Sequence, residues 1–351
     1  MNTVESKSRH RPHGAPWDRR RRAGSDTLVA AVDLGTNNCR LLIANPTASG
    51  FRVVDGFSRI VRLGEGVEAS GVLSPDAMDR ATDALRVCAA KLRRRGVTRA
   101  RYVGTEACRR AANGEAFLDR VENETGLRLE IISSREEAEL TLAGCLPLLD
   151  PAIPNALMFD VGGGSAEILW VRQQEDGPPS VLGWTSLPCG VINLTERHGT
   201  TEFTLDEYED LVQEVAEMLK PFEEDCRIAD AIAAGTMQMI GTAGTVTTIA
   251  GVHMGLKRYN RSVVDGCWLD FDAVDSVSRQ LVGASFAERA AHACIGTGRA
   301  ELVVAGCAVL EAVCRTWPVG RMRVADRGVR EGILIALIDE VNGESRASRV
   351  Q

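Results

Sequence analysis

Aromatic side chains are scarce in this chain of 351 residues, where Phe, Trp and Tyr together make up 5%. Single-stranded nucleic acid is commonly held by stacking its bases on aromatic rings, so this composition argues against such a platform. Lysine is also scarce, with four residues against 37 arginines. Codon bias in a GC-rich genome explains most of this imbalance, and planar guanidinium groups also suit phosphate. We expect no nucleic-acid partner.

Several common catalytic and metal-binding patterns are missing. The ten cysteines include no Cys-x-x-Cys pair and the five histidines are scattered, so zinc-site spacing is absent. The lack of any Gly-Lys dipeptide excludes a P-loop, and neither Gly-x-Ser-x-Gly nor His-Asp occurs. Ten unclustered cysteines predict reduced core residues of a cytosolic protein.

Long apolar runs are missing as well. A membrane-spanning helix needs about 20 apolar residues, and no segment approaches that length. The basic run Arg19–Arg22 precedes an apolar stretch, Thr27–Val32, that is too short for a secretion signal. We therefore expect a cytoplasmic protein with no membrane partner and a disordered basic tail over residues 1–26.

Charge is unevenly distributed along the chain. The net charge is −7, yet residues 1–26 carry +4, which leaves −11 on the remainder. An acidic body cannot hold a polyanion by its overall field. Any phosphate site must therefore be a local arrangement of arginines and backbone N–H groups. The tail itself is expected to be a solvated, dispensable segment, with recruitment of polyanions as the alternative.

The order of predicted elements occurs twice. Each half begins with three strands separated by glycine-rich turns and continues with helices. The predicted strands are Leu28–Leu34, Cys39–Ala44, a run around Phe51–Asp55, Leu157–Val161, Ala166–Val171 and Val181–Ser186. This repetition predicts an α/β fold of two similar halves with a ligand cleft between them.

Local signals predict the helices. Ser74 with Pro75 favours one helix start, and Thr204 with Glu207 has the spacing of a capping box. Further helices are expected from about Asn113, Ser134, Asp272, Arg299 and Gly328. We predict an N-terminal domain over 27–137 and a C-terminal domain over 138–342, followed by a tail over 343–351. The last helix, about 328–341, is expected to pack back on the first domain.

Three glycine-rich turns are candidates for phosphate binding: Asp33–Asn38, Asp160–Glu167 and Gly241–Thr245. Glycine lets the backbone approach an anion closely, and successive N–H groups form a concave site for phosphate oxygens. A single such turn is more often a tight turn alone, whereas two facing each other are more specific. The candidate phosphate-binding residues are Asp33, Gly35, Thr36, Asn37, Asn38, Gly162, Gly163, Gly164 and Ser165.

Carboxylates lie beside these turns. Asp33 and Asp160 each precede a turn, where they could bind a divalent cation or orient water, and Glu167 follows across the hairpin from Asp160. Glu137 has two interpretations: Ser134-Arg135-Glu136-Glu137 has capping-box spacing, and the alternative is a general base. Arg109 could likewise be an ordinary surface arginine.

The chain resembles the exopolyphosphatase/guanosine pentaphosphate phosphohydrolase (Ppx/GppA) family over about residues 28–340. Eight segments carry the resemblance in order: AVDLGTNNCR (31–40), VRLGEGV (61–67), GTEACR (104–109), EIISSREEAEL (130–140), FDVGGGSAE (159–167), GTAGTVT (241–247), RAELVVAGCA (299–308) and GVREGIL (328–334). The resemblance implies two actin-like (ribonuclease H-like) domains with a cleft between them. It also implies a homodimer.

The resemblance assigns roles to individual residues. It implies that Glu137 is the catalytic base, that Asp160 and Glu167 hold Mg²⁺ or another divalent cation, and that Arg109 contacts the phosphate chain. Two positions depart from the family, because Asn193 stands where many relatives carry arginine and Asp265 where histidine is frequent. These departures concern the distal binding groove. The histidine-rich helical domain of longer relatives is expected to be absent.

The expected activity is hydrolysis of the terminal phosphate of inorganic polyphosphate by in-line attack of water. The nearest alternative substrate is guanosine pentaphosphate (pppGpp), which would use the same reaction centre. From another class, the alternatives are an ATP-binding actin-like kinase or ATPase, and a non-catalytic sensor of polyphosphate or alarmone.

Overall fold

The computed structural model describes residues 27–350 apart from 49, 176 and 200, with side chains described to residue 342. The predicted basic tail over 1–26 lies outside the described residues. Within the described part, no helix is long and apolar enough to cross a membrane. All ten cysteines are free thiols, and eight of them are buried.

The first half builds a five-stranded sheet in the order β3-β2-β1-β4-β5. The strands β1, β2 and β3 are antiparallel, and β4 and β5 continue the sheet in parallel with β1. The strands are β1 (Val29–Leu34), β2 (Asn38–Thr47), β3 (Gly50–Ile60), β4 (Arg99–Gly104) and β5 (Glu130–Ile131). The accompanying helices are α1 (Val67–Ser70), α2 (Pro75–Arg95), α3 (Glu106–Arg110) and α4 (Gly114–Thr125).

The second half builds a six-stranded sheet in the order β10-β11-β9-β6-β7-β8. Its strands are β6 (Asn155–Val161), β7 (Ala166–Arg172), β8 (Ser180–Leu187), β9 (Met237–Thr242), β10 (Trp268–Asp270) and β11 (Arg321–Ala325). Its helices are α5 (Ser134–Cys145), α6 (Val191–His198), α7 (Leu205–Cys226), α8 (Ile228–Ala233), α9 (Ala243–His253), α10 (Arg261–Val264), α11 (Phe271–Val282), α12 (Phe286–Ala291), α13 (Val303–Thr316) and α14 (Val329–Val350).

The two sheets share one plan. In each, an antiparallel three-stranded meander (β1 to β3, β6 to β8) is extended in parallel from its first strand by two further strands, and the second sheet adds β10 antiparallel to β11. Such repetition with a seam between the halves is the actin-like arrangement, so the prediction of two actin-like α/β halves is confirmed. The domain boundary at residue 137 stays a prediction.

Local chemistry explains the predicted long helices. Ser74 accepts a hydrogen bond from the N–H of Ala77 at the start of α2, and Gly96 ends the helix in the left-handed conformation. Thr204 and Glu207 form the expected capping box at the start of α7. The buried face of α2 follows helical spacing, with Ala77, Ala81, Leu85, Cys88 and Leu92 inside.

Two helices cross between the halves. Helix α5 follows the first sheet in sequence yet packs on the second, against Met158 and Leu169. Helix α14 follows the second sheet yet packs on the first, where Ile333 and Leu334 are fully buried. The two helices touch through Gly332, where a Cβ would lie 2.0 Å from the carbonyl oxygen of Leu140. Because Gly332 has no side chain, the two helix backbones approach closely here. This contact brings the starts of both helices to the seam, the boundary between the two halves.

Polar contacts also join the halves at one rim of the cleft. Arg62, which follows β3, forms an ion pair with Glu301 of the second half. The N–H of Gly66 donates to a carboxylate oxygen of Glu196 at 2.9 Å. We call these two interactions the rim contacts.

Candidate active site

The first glycine turn connects β1 to β2. The N–H of Gly35 donates to the carbonyl of Asn38 at 2.9 Å, which closes the turn. Asp33 and Arg40 are cross-strand partners at its base, so their side chains lie on the same face of the sheet. The side-chain oxygen Oδ1 of Asn37 is buried and has no hydrogen-bond partner among the described residues. That oxygen is an acceptor, so it is available to a hydrogen-bond donor or a cation.

The second glycine turn connects β6 to β7 and repeats this geometry. The N–H of Gly162 donates to the carbonyl of Ser165 at 2.9 Å, and Asp160 and Glu167 are cross-strand partners. Glycine suits the place where the two turns meet, because a Cβ at Gly163 would lie 3.1 Å from Thr36 Cβ and 3.2 Å from the backbone nitrogen of Asn37, closer than ordinary van der Waals contact. The two predicted phosphate turns therefore face each other across the seam.

Helix α6 holds the second turn in place. Its first residues donate to the turn carbonyls of Gly162 and Gly163, and the buried side chain of Asn193 donates to the carbonyl of Gly164 at 2.8 Å. Asp265, the other departure from the family pattern, accepts from Arg327 Nε at 2.8 Å. Asn193 thus supports a glycine turn, not the distal groove as expected from the sequence, and Asp265 holds an arginine of the cleft.

A cavity of about 410 Å³ lies between the halves. Most of the predicted site residues line it, together with the third glycine turn. The predicted site residues that line the cavity are Asp33, Gly35, Thr36, Asn37, Asn38, Glu137, Asp160, Gly162, Gly163, Gly164 and Ser165. Arg109 and Glu167 do not line it, but each contacts a residue that does, Glu137 and Ser165 respectively. The predicted set therefore converges on one cavity, with these two residues supporting its wall.

Five arginines line the same cavity and were not singled out from the sequence: Arg40, Arg261, Arg299, Arg327 and Arg330. Burial lowers the pKa of Arg330 and of Arg299, and the neighbouring Arg40 lowers both further. Like charges brought this close favour an anionic ligand. Arg40, Arg299 and Arg330 lie inside the segments that carry the family resemblance, and that signal could have identified them.

The start of α5 shows that the capping interpretation of Glu137 is wrong. The N-cap residue is Ser133, whose hydroxyl accepts from the N–H of Glu136 at 3.1 Å. The cap therefore lies one residue before the expected Ser134, and the Glu137 carboxylate accepts from Arg109 rather than from the helix start. It faces the cavity instead.

Arg109 is held by three acceptors. Its guanidinium donates to Glu106 Oε2 through Nη2 at 2.6 Å and Nε at 3.1 Å. Nη1 donates to the carbonyl of Ile132 at 2.6 Å, and both Nη atoms lie 3.2 Å from Glu137 Oε2. A guanidinium has five N–H donors, so all of them are engaged.

The carboxylates at the seam titrate abnormally. Burial and the nearby Asp33, opposed by Arg40, raise the pKa of Asp160 to about 6. Burial and then Asp160 raise the pKa of Glu167 to about 7. The pKa of Glu137 is raised well above its ordinary value by burial and by Glu167, against the effect of Arg109. Burial also raises the pKa of Asp33. This concentration of negative charge favours a proton or a cation.

The carboxylates at the seam suit one kind of cation site. Among the described residues, no three His, Cys, Asp or Glu side chains are close enough to hold a metal ion together. One oxygen of Glu167 already accepts from the hydroxyls of Ser165 and Ser186. Mg²⁺ usually takes one or two carboxylates plus substrate phosphates and water. Asp160 in the wall and Glu167 behind it fit that mode, whereas an all-protein cage is excluded for the described residues.

Comparison with known proteins agrees with this geometry. The profile of the Ppx/GppA phosphatase family matches residues 42–341. The chain is 32% identical to Exopolyphosphatase 2 of Mycobacterium tuberculosis over 326 residues, 89% of this chain and 98% of that protein. It is 26% identical to a guanosine-5'-triphosphate,3'-diphosphate pyrophosphatase of Aeromonas hydrophila, across 89% of this chain and 59% of that protein.

Solved structures give the same result. An exopolyphosphatase from Cytophaga hutchinsonii superposes with a TM-score of 0.80 at 25% identity, covering 90% of this chain and 98% of that one. The Ppx/GppA protein of Aquifex aeolicus gives 0.70 at 27% identity, covering 91% and 98%. The chain therefore belongs to the Ppx/GppA phosphatase family and is an enzyme that hydrolyses phosphoric anhydrides.

Proposed function

We propose that this enzyme is an exopolyphosphatase, which releases orthophosphate from the end of inorganic polyphosphate. The observation that carries the proposal is the lining of the cleft cavity. Two facing glycine turns and Glu137 lie in the same cavity as five arginines. A linear polyphosphate has a terminal phosphate, which suits the glycine turns and Glu137. It also has a repeating anionic chain, which suits the arginines.

The cavity offers little to a guanine base, which supports polyphosphate as the preferred substrate. Tyr259 is the single aromatic residue among the described residues that line it, and its hydroxyl donates to Asp326 at 2.6 Å. Arginines and threonine hydroxyls make up much of the remaining polar lining. Such groups bind phosphate oxygens along a chain, whereas a guanine base gains most from stacking and edge recognition.

The chain's own residues supply positioning and proton transfer. Backbone N–H groups of the two turns bind the terminal phosphate oxygens, and the Glu137 carboxylate takes a proton from the attacking water. The water oxygen bonds to phosphorus as the bridging P–O bond breaks, and the shortened chain leaves. The raised pKa of Glu137 makes its ionised form a stronger base. A divalent cation at Asp160, supported by Glu167, would neutralise charge on the transferred group.

Replacing Glu137 tests the proposal. Glu137→Gln keeps the shape and removes the base, so we expect orthophosphate release from long-chain polyphosphate with Mg²⁺ to fall at least about 100-fold. Binding of polyphosphate should stay within a few fold. The matched control is Glu139→Gln, an exposed residue of the same helix. Undiminished release in Glu137→Gln would refute the assigned base.

The second candidate substrate is guanosine pentaphosphate. It is favoured by the activity for which the Aeromonas relative is named, and it would use the same centre. The same assay with this nucleotide in parallel decides between the two substrates. Faster, Glu137-dependent release from the nucleotide would overturn the polyphosphate assignment. Absence of release from either substrate would favour a sensor, or a kinase if ATP were consumed only with an added sugar.

A further inference from the structure

Glu106 occupies a position that the reaction scheme above leaves unexplained. It is the first residue of α3, directly after Thr105, and it lines the cavity. A Cβ on Gly164 would lie 2.9 Å both from Glu106 Cγ and from Thr36 Oγ1. Glu106 therefore borders the point where the two glycine turns meet, which is where the terminal phosphate is proposed to bind.

A second observation concerns the partner of this carboxylate. Glu106 accepts two of the five hydrogen bonds of Arg109, and the remaining donors go to Ile132 and Glu137. Glu106 lines the cavity, and its carboxylate occupies Nε and Nη2 of Arg109. An anion in the cavity can bind these two donors only by displacing the carboxylate of Glu106.

We propose that Glu106 is a specificity-determining residue that competes with phosphate for Arg109. The terminal phosphate of a bound chain displaces the Glu106 carboxylate from Nε and Nη2, and Arg109 keeps its contacts with Ile132 and Glu137. The inference rests on the proposed function, because it takes the reacting phosphate to lie at the glycine turns.

The consequence is that Glu106 discriminates between the polyphosphate substrate and the orthophosphate product. A polyphosphate chain also contacts Arg299, whose guanidinium donates to Thr248 of α9, and binding energy from this remote contact offsets the displacement of Glu106. Orthophosphate reaches the glycine turns alone and has no such remote contacts. Glu106 therefore weakens the binding of the product more than the binding of the substrate, which limits product inhibition.

The test measures orthophosphate affinity directly. We expect Glu106→Gln to bind orthophosphate about tenfold more tightly in isothermal titration calorimetry, since one tenfold step corresponds to about 1.4 kcal/mol. In steady-state assays the inhibition constant for orthophosphate should fall by the same factor. The KM for polyphosphate should fall by a smaller factor.

Two further variants control the result. Glu122→Gln removes the same charge from an exposed position of α4 and should leave orthophosphate affinity unchanged. Glu106→Ala removes the carboxylate altogether, so it should reproduce the tighter binding and serves if the glutamine variant fails to fold. Unchanged or weaker orthophosphate binding in a folded Glu106 variant would overturn the inference and make Glu106 a support for Arg109.

The two proposals can fail separately. Orthophosphate titration needs no turnover, so tighter binding in Glu106→Gln supports the competition even if polyphosphate is not hydrolysed. Conversely, Glu137-dependent hydrolysis with unaltered orthophosphate affinity in Glu106→Gln would leave the proposed function intact and remove this inference alone.

Discussion

At the scale of single residues, Asn193 fixes the second glycine turn through one buried hydrogen bond to Gly164. Asn193→Ala leaves that carbonyl without its side-chain donor, so we expect the free energy of unfolding to fall by about 1–3 kcal/mol. Affinity for phosphate should fall as well, because the turn loses a support. Urea denaturation checks the first effect, with Asn45→Ala in β2 as the control. Equal stability of wild type and Asn193→Ala would show that the bond contributes nothing.

Residue-level features divide into those that the sequence predicts and those that it does not. The glycine turns were predictable because closure of a turn depends on neighbouring residues. The capping assignment of Glu137 was wrong by one position, since Ser133 and Ser134 are both acceptable caps and only the backbone selects between them. The convergence of Arg40, Arg299 and Arg330 depends on tertiary packing between distant segments, so residue spacing alone could not show it.

At the scale of secondary-structure elements, the contact between α5 and α14 places the helix starts that carry Glu137 and Arg330 at the same cavity. Gly332→Ala places a methyl group against a backbone oxygen that cannot rotate away. We expect a loss of stability of about 1–3 kcal/mol together with reduced turnover, because both helix starts shift. Thermal unfolding and orthophosphate release measure the two effects. Gly283→Ala is the control, with its nearest contact at an ordinary 3.5 Å; equal losses in both variants would contradict the argument.

Elements with strong periodic patterns were predicted well. Helices α2 and α7 and the two antiparallel meanders were expected close to their observed positions. Short helices such as α1, α3 and α10 were missed, because four or five residues carry no hydrophobic period. The helix expected from about Arg299 begins at Val303. The last helix extends beyond its expected end at 341 and reaches Val350.

At the scale of the whole molecule, the seam carboxylates make stability depend on pH. The pKa values of Asp160 and Glu167 are raised to about 6 and about 7 in the folded protein. The folded protein therefore holds protons that the unfolded chain has released, and ligand-free stability falls as pH rises through this range. Glu167→Gln removes one titrating group, so it should be more stable than wild type above pH 7 by on the order of 1–3 kcal/mol.

Chemical denaturation between about pH 5.5 and 8.5 checks this expectation, above the range in which ordinary carboxylates titrate. The wild-type free energy of unfolding should decrease with pH, and the decrease should be shallower in Glu167→Gln. Glu122→Gln, an exposed substitution, should follow the wild-type curve. Parallel curves for wild type and Glu167→Gln would mean that Glu167 does not titrate in this window.

The rim contacts bear on how the cleft exchanges its contents. Both involve a carboxylate at the protein surface, and one is an ion pair whose two side chains are each about one-third exposed. Mobile salt ions screen such contacts within a Debye length of about 8 Å at physiological ionic strength. Separation of the halves at this rim therefore becomes easier as salt concentration rises, whereas the apolar contacts of α5 and α14 are insensitive to it. Ionic strength would thus act on the rate at which ligands enter and leave, apart from any effect on the chemical step.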